Sequence, residues 1–205
     1  FMEEQLLKIF EGNSELFITT SSTGEVDERG KVQVETFTVH EPVTLKLWKD
    51  HLDGKQRIGI KPEKDDLCKW GCIDIDPQSY KDYSQKKVID ILRDNQLPLI
   101  PVRSKSGGLH LFLFLNDWSP VKDVLKKLHE WNKNFFQALE VFPMNKCMNM
   151  PYFNMNATTE FAYNENNTPI MIGGFLDLVK NKTVTIEQLS NIKVKEYEPE
   201  EDWKH

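Results

Sequence analysis

Asp74 and Asp76 close the apolar run Trp70-Gly71-Cys72-Ile73-Asp74-Ile75-Asp76, whose composition favours a strand. In a strand, residues i and i+2 share a face, so the two carboxylates point together while Ile73 and Ile75 point into the core. Like charges held that close repel unless a cation or a proton lies between them. A pair of hard oxygen donors suits Mg²⁺ or Mn²⁺, ions that commonly work beside substrate phosphates. The pair therefore points to metal-assisted phosphoryl chemistry. Taken alone it also fits a strand entering the Asp76-Pro77 turn, where aspartate is common. The sugar-nucleotide site of a metal-dependent glycosyltransferase is a third reading.

A second stretch bears on the same chemistry. Arg103-Ser104-Lys105-Ser106-Gly107-Gly108-Leu109-His110 runs into Leu-Phe-Leu-Phe-Leu. Serines, paired glycines and two cations make a loop whose backbone can approach a phosphate, because glycine has no Cβ in the way. His110 opens the strand that follows, a fixed place from which an imidazole can bond a phosphate oxygen. By itself the loop is equally a hairpin turn, and His110 equally a core histidine. The same strand is similar to the aromatic strand of an RRM, with Phe112 and Phe114 as stacking platforms. The alternation of Leu109, Leu111 and Leu113 with those rings reads instead as a strand buried on both faces.

Taken together, the motifs resemble the three-part signature of the archaeo-eukaryotic primase superfamily, in its phage and mobile-element branch of primase-polymerases. Ile73-Asp74-Ile75-Asp76 matches the hydrophobic-Asp-hydrophobic-Asp element. Gly108-Leu109-His110 matches small-x-His, inside a Ser-Lys-Ser-Gly-Gly-x-His form. Leu139-Glu140, in Leu-Glu-Val-Phe-Pro, looks like hydrophobic-acid, with Asp177 in Phe175-Leu176-Asp177-Leu178 as a rival. Asn149-Met150-Pro151-Tyr152-Phe153, Ile58-Gly59-Ile60 and Lys69-Trp70-Gly71 also fit. The resemblance covers roughly residues 45–180.

The resemblance implies a DNA primase/polymerase that transfers nucleotides from (d)NTPs to a 3′-hydroxyl on a single-stranded DNA template. Asp74, Asp76 and Glu140 would be both catalytic residues and ligands of two divalent ions, Mg²⁺ or Mn²⁺, about 4 Å apart. Arg103, Ser104, Ser106, Gly107 and His110 would bind the incoming nucleotide. Implied with these are an α+β fold with an RRM-like sheet module and a packed N-terminal α/β module, and a helicase or accessory domain beyond these residues. The expected setting is phage or mobile-element replication in a bacterial cytoplasm.

The elements that must position these residues follow from pattern. Residues 3–11 read as an amphipathic helix, and Phe17 to Thr20 and Val32 to Val39 as strands joined at a Ser-Ser-Thr-Gly turn. Pro42 opens a helix over Leu45 to Leu52 that Gly54 closes. Arg57 to Ile60 is a short strand, and Lys61 to Asp66 a charged loop. Residues 79–95 are helical, with Val88, Ile91 and Leu92 buried. Leu97 to Val102, broken by prolines, is an edge or terminal strand, and Leu109 to Leu115 a strong one. Ser119-Pro120 reads as a cap opening a helix with Val121, Val124, Leu125, Leu128, Trp131 and Phe135 on its core face. Residues 1–190 are expected to form the catalytic domain, and 191–205 an acidic tail or the start of a linker.

Composition sets the outer limits. The 205 residues can bury a proper core, and the net charge of −6 argues against a globally basic nucleic-acid surface. Cations concentrate mid-chain, while the last ten residues carry five acids. Cys68, Cys72 and Cys147 are an odd count without CxxC spacing, so they read as reduced structural thiols with no structural zinc. No run is long and apolar enough for a membrane span, and the acidic, amphipathic start is unlike a signal peptide.

Overall fold

A computed structural model describes residues 1–79 and 83–194, apart from the side chains of Ser22 and Ser79. The chain runs through α1 (Met2–Ile9), β1 (Phe17–Val26), β2 (Val32–Val39), α2 (Leu45–Leu52), β3 (Ile58–Ile60) and β4 (Leu67–Ile75). It continues with α3 (Gln85–Asp94), β5 (Leu99–Arg103), β6 (Leu109–Pro120), α4 (Val121–Trp131), β7 (Glu140–Phe142), β8 (Met148–Asn149), α5 (Ile172–Lys182) and α6 (Ile186–Asn191). The fold is α+β, as expected.

Two four-stranded sheets carry it, ordered β2-β1-β3-β8 and β5-β6-β4-β7. The second is built as β4-α3-β5-β6-α4-β7 with every neighbouring pair antiparallel, the βαββαβ plan of RRM-like modules. Its central strands are apolar on both faces. Ile73, Ile75, Leu109, Leu111 and Leu113 pack toward α3, α4 and α6. Cys72, Ile100, Phe112, Phe114 and Phe142 pack toward the first sheet, α1 and α5. Phe10, the C-cap residue of α1, fills the middle of that second layer, with ring centroids 5.2–6.3 Å from Trp48, Trp70, Phe112, Phe114 and Phe175. Phe112 and Phe114 are thus core residues, and the face an RNA-binding RRM leaves open is covered.

The first sheet is not purely N-terminal. Its edge strand β8 comes from just beyond β7 and pairs with β3. Chain from the RRM-like half thereby closes the other sheet.

Several boundaries differ from the sequence reading. The hairpin turn lies at Asp27–Lys31, and Ser21 to Gly24 continue β1, with a bulge before Val26. The Asp27 carboxylate accepts the amides of Arg29 and Lys31 and Gly30 has φ +79°, so the aspartate outcompetes the Ser/Thr stretch for the turn. Ser119 does not cap α4. Its hydroxyl donates to the Asp117 carbonyl, β6 runs on to Pro120, and the Val121 amide donates to the Asp66 carbonyl. The segment 79–95 is a 3₁₀ turn at Pro77–Ser79 and then α3, capped by Ser84 and burying Ile89 more deeply than Ile91; residues 80–82 lie outside the described residues. Helices α5 and α6 escape the sequence reading, α5 because Gly173 and Gly174 weaken its first turn. Ile192 and Val194 still pack on the core, while 195–205 of the expected tail lie outside the described residues.

Candidate active site

Register places the motif residues in one row. His110 of β6 stands opposite Asp74 of β4, and Asp74 stands opposite Glu140 of β7. Residues directly opposed across strands project from the same face, so all three side chains leave the sheet on the side of the β1–β3 layer. They sit at the end of the strands, where the packed interior gives way to solvent. His110 Nε2 lies 3.4 Å from Asp74 Oδ1, and both side chains are about four-fifths buried. Asp76, just past β4, is exposed, and its carboxylate also accepts the Gln78 amide at 3.0 Å. The Asp-Pro turn and the carboxylate pair are therefore both present in the same residues.

The Ser/Gly loop joins β5 to β6 beside this row. Gly107 takes φ +87°, where other residues are strained. At Gly108 a Cβ would stand 2.2 Å from the Ile75 carbonyl, so glycine lets the loop rest against the end of β4. The Gly107 amide donates to the Ser104 carbonyl and the Gly108 amide to Ser104 Oγ, both within 3.0 Å. Ser104 and Gly107 thus shape the loop, and their polar groups are largely engaged. The amides of Lys105 and Ser106 have no partner among the described residues, and they provide the donors a phosphate needs.

An open cleft of about 440 Å³ gathers Asp74, Asp76, Ser104, Ser106 and His110 with Lys31, Lys105, Asn149 and Glu160. Three of the expected residues stand apart from it. Glu140 is turned to Lys146 at 2.8 Å. Arg103 donates to the Thr159 carbonyl at 3.0 Å. Gly107 contributes backbone conformation. Asp177, the rival acid, is exposed on α5 and does not line the cleft.

Five lining or supporting residues have no site role assigned from sequence. Lys31 reaches the cleft from the hairpin turn. Lys105 is exposed, yet partial desolvation, helped by the nearby Arg57 and Lys31 charges and opposed by Glu160, lowers its amine from the ordinary lysine range. Glu160 is nearly buried and ion-paired with Arg57, whose guanidinium lies 4.4 Å from the centre of the Phe153 ring. Arg57 and Glu160 are 103 residues apart, and no local pattern announces such a pair. Asn149 lies opposite Gly59 in register, and its buried Oδ1 has no partner among the described residues.

The donor set fits a divalent cation in part. Asp74 and Asp76 bring two hard carboxylates to a cleft with phosphate donors beside them, and Mg²⁺ is commonly held by one or two carboxylates plus substrate phosphates. No three His, Cys, Asp or Glu side chains among the described residues converge as a ready metal cage. Glu140 is in register to join the pair once it leaves Lys146.

A βαββαβ sheet with an acid pair, a strand-borne histidine and a Ser/Gly loop at one mouth is the arrangement of a primase-type domain. The chain belongs to the TOTE conflict system archaeo-eukaryotic primase family, whose model matches residues 15–145. It is therefore a member of a primase-like nucleotidyltransferase superfamily. Asp74, Asp76, the loop, His110 and Glu140 lie inside the matched segment, and Asn149 and Glu160 beyond it. Among curated proteins none matches the chain. No helix among the described residues is long and apolar enough to cross a membrane.

Proposed function

We propose that this domain is a template-directed nucleotidyltransferase that adds nucleotides from (d)NTPs to a 3′-hydroxyl on single-stranded DNA. The observation that carries the reading is the in-register row of His110, Asp74 and Glu140 beside Asp76 and the open amides of Lys105 and Ser106. In the reaction the 3′-oxygen forms a bond to the α-phosphorus while the bond from that phosphorus to the bridging oxygen breaks. Pyrophosphate leaves, and the hydroxyl proton passes to solvent. Such transfers need chiefly positioning and charge stabilisation.

The Ser106 hydroxyl, the two loop amides and the Lys105 amine hold the triphosphate; His110 donates to one of its oxygens and is itself oriented by Asp74. Asp74 and Asp76, with Glu140, would hold Mg²⁺ or Mn²⁺, which supplies charge neutralisation at the phosphates and at the attacking oxygen. A glycosyltransferase would use the carboxylate pair but leaves the loop and His110 without a task.

The test is incubation with single-stranded DNA, labelled nucleotides and Mg²⁺ or Mn²⁺, with and without a primer. Products without primer establish priming, and products only with primer establish extension. Asp74→Asn and Asp76→Asn are each expected to lower incorporation by at least about a thousandfold, as loss of a metal-linked charge-stabilising group does. Circular dichroism should show the fold retained. Full activity in either variant overturns the assignment.

A further inference from the structure

Glu160 is out of place in a cleft built for phosphates. Its side chain is 6% exposed, yet it lines the same space as Asp74, Asp76, Lys105 and Ser106. Oε1 is bound to Arg57, and Oε2 has no partner among the described residues. The backbone on either side is fixed. The Glu160 amide donates to Thr158 Oγ1 at 3.0 Å, the Glu160 carbonyl accepts from the Tyr152 amide at 3.0 Å, and the Phe161 carbonyl accepts from the Arg103 amide at 2.9 Å. Arg57 is held in turn by its stack on Phe153. Glu160 is thus a firmly held carboxylate lining the cleft, with Oε2 left to accept a further hydrogen bond.

A carboxylate accepts hydrogen bonds and repels phosphate, so it must meet a neutral donor of the bound substrate. In a nucleoside triphosphate those donors are the sugar hydroxyls and the amino groups of the base. On the nucleotidyl-transfer reading the loop amides and the acid pair take the phosphates, and Glu160 lines the same cleft. The sugar is the group next to the α-phosphate, and a cleft of about 440 Å³ is of the size that encloses a small ligand. The base lies a further step out. Dinucleotide sites use the same chemistry, an acidic side chain bonded to a ribose hydroxyl.

We propose that Glu160 accepts the 2′-hydroxyl of the incoming nucleotide and so makes this site prefer ribonucleotides to deoxyribonucleotides. The inference rests on the nucleotidyl-transfer reading above. Arg57 is the positioning residue that orients the carboxylate.

Two measurements test it separately from that reading. In single-nucleotide extension of a primed template, the wild-type ratio of kcat/KM for the matched NTP over its dNTP should be about 10 to 100, the range of a hydrogen bond to a charged acceptor. Glu160→Gln keeps an oxygen for Arg57 but turns an amide donor toward the sugar. It should lower the NTP value about tenfold more than the dNTP value, mainly through KM. Glu160→Asp, which keeps the charge, should restore part of the preference. Equilibrium titration of ATP against dATP in Mg²⁺ should show the same difference without turnover, and its loss in Glu160→Gln.

Incorporation without sugar preference, or equal loss for both sugars in Glu160→Gln, overturns the role of Glu160 and leaves the transferase reading standing. Absence of incorporation with an ATP-over-dATP preference that depends on Glu160 overturns the transferase reading alone.

Discussion

His51 joins two elements from inside the core: its Nδ1 accepts the Ile58 amide at 3.1 Å, and its Nε2 lies 2.9 Å from the Pro151 carbonyl. Because Nδ1 is an acceptor, the ring proton sits on Nε2 and is donated to Pro151, so the neutral tautomer is the one the fold uses. Burial pushes its pKa from 6.5 down to about 4; the Pro151 carbonyl works against that shift and the Arg57 charge adds to it. The sign follows from linkage. Above pH 6.5 the ring is neutral in folded and unfolded chain alike, and its full contribution is present. As pH falls from 6.5 toward 4 only the unfolded chain takes up the proton, so folding loses about 1.4 kcal/mol per pH unit from this residue. Urea unfolding at pH 7.5, 6 and 5, with the His51 ring followed by NMR, checks this; a ring that titrates near 6.5 in the native state would refute it. Such a role leaves no trace in a single sequence, because its two partners lie 7 and 100 residues away. Asp74, Asp76 and His110 were legible for the opposite reason: strand periodicity alone decides which way they point.

At the scale of elements, α1 has an importance that its eight residues do not suggest. An isolated helix of that length is marginal in water, so packing must hold it. Phe10, which follows α1 at its C-cap, supplies that packing by filling the space between Trp48, Trp70, Phe112, Phe114 and Phe175, and the Trp70 indole donates to its carbonyl at 3.1 Å. Phe10→Ala should therefore cost about 3–5 kcal/mol of stability, the range for emptying a buried aromatic site. Denaturant unfolding measures it, and a loss below about 1 kcal/mol would show that α1 is a dispensable cover. The existence of α1, α2, β4, β6 and α4 was readable because each has a clear apolar period or run. The failures share a cause in local competition. Asp27 took the turn from the Ser/Thr stretch, and the Asp117 carbonyl took the Ser119 hydroxyl from α4. The paired glycines hid α5 behind a weak first turn.

Across the whole molecule, the site lies where two sheets part, and both sheets bring charge to it. The RRM-like sheet brings Asp74 and Asp76 to the mouth, while the hairpin turn of the other sheet brings Lys31 and the loop brings Lys105. The acid pair could be found from sequence because it is local, but the opposite wall could not, since Lys31, Arg57, Asn149 and Glu160 converge only through pairing of β1, β3 and β8. Arg57 is ion-paired with Glu160, which leaves two lysines among the described residues lining the cleft, on a chain of net charge −6. A single strand held there displaces few counterions. With about two to three phosphate contacts, and about 0.7 counterions released per contact, the logarithm of the association constant should fall with log[KCl] at a slope of about −1.4 to −2. Fluorescence anisotropy of a labelled oligonucleotide from 25 to 250 mM KCl measures that slope. A value of −4 or steeper would mean that the mid-chain cations of α3 and α4 form a second nucleic-acid track outside the cleft. A slope in the shallow range would fit the proposed transferase only if strand capture depends on bound nucleotide and metal, and repeating the titration with both present measures that dependence.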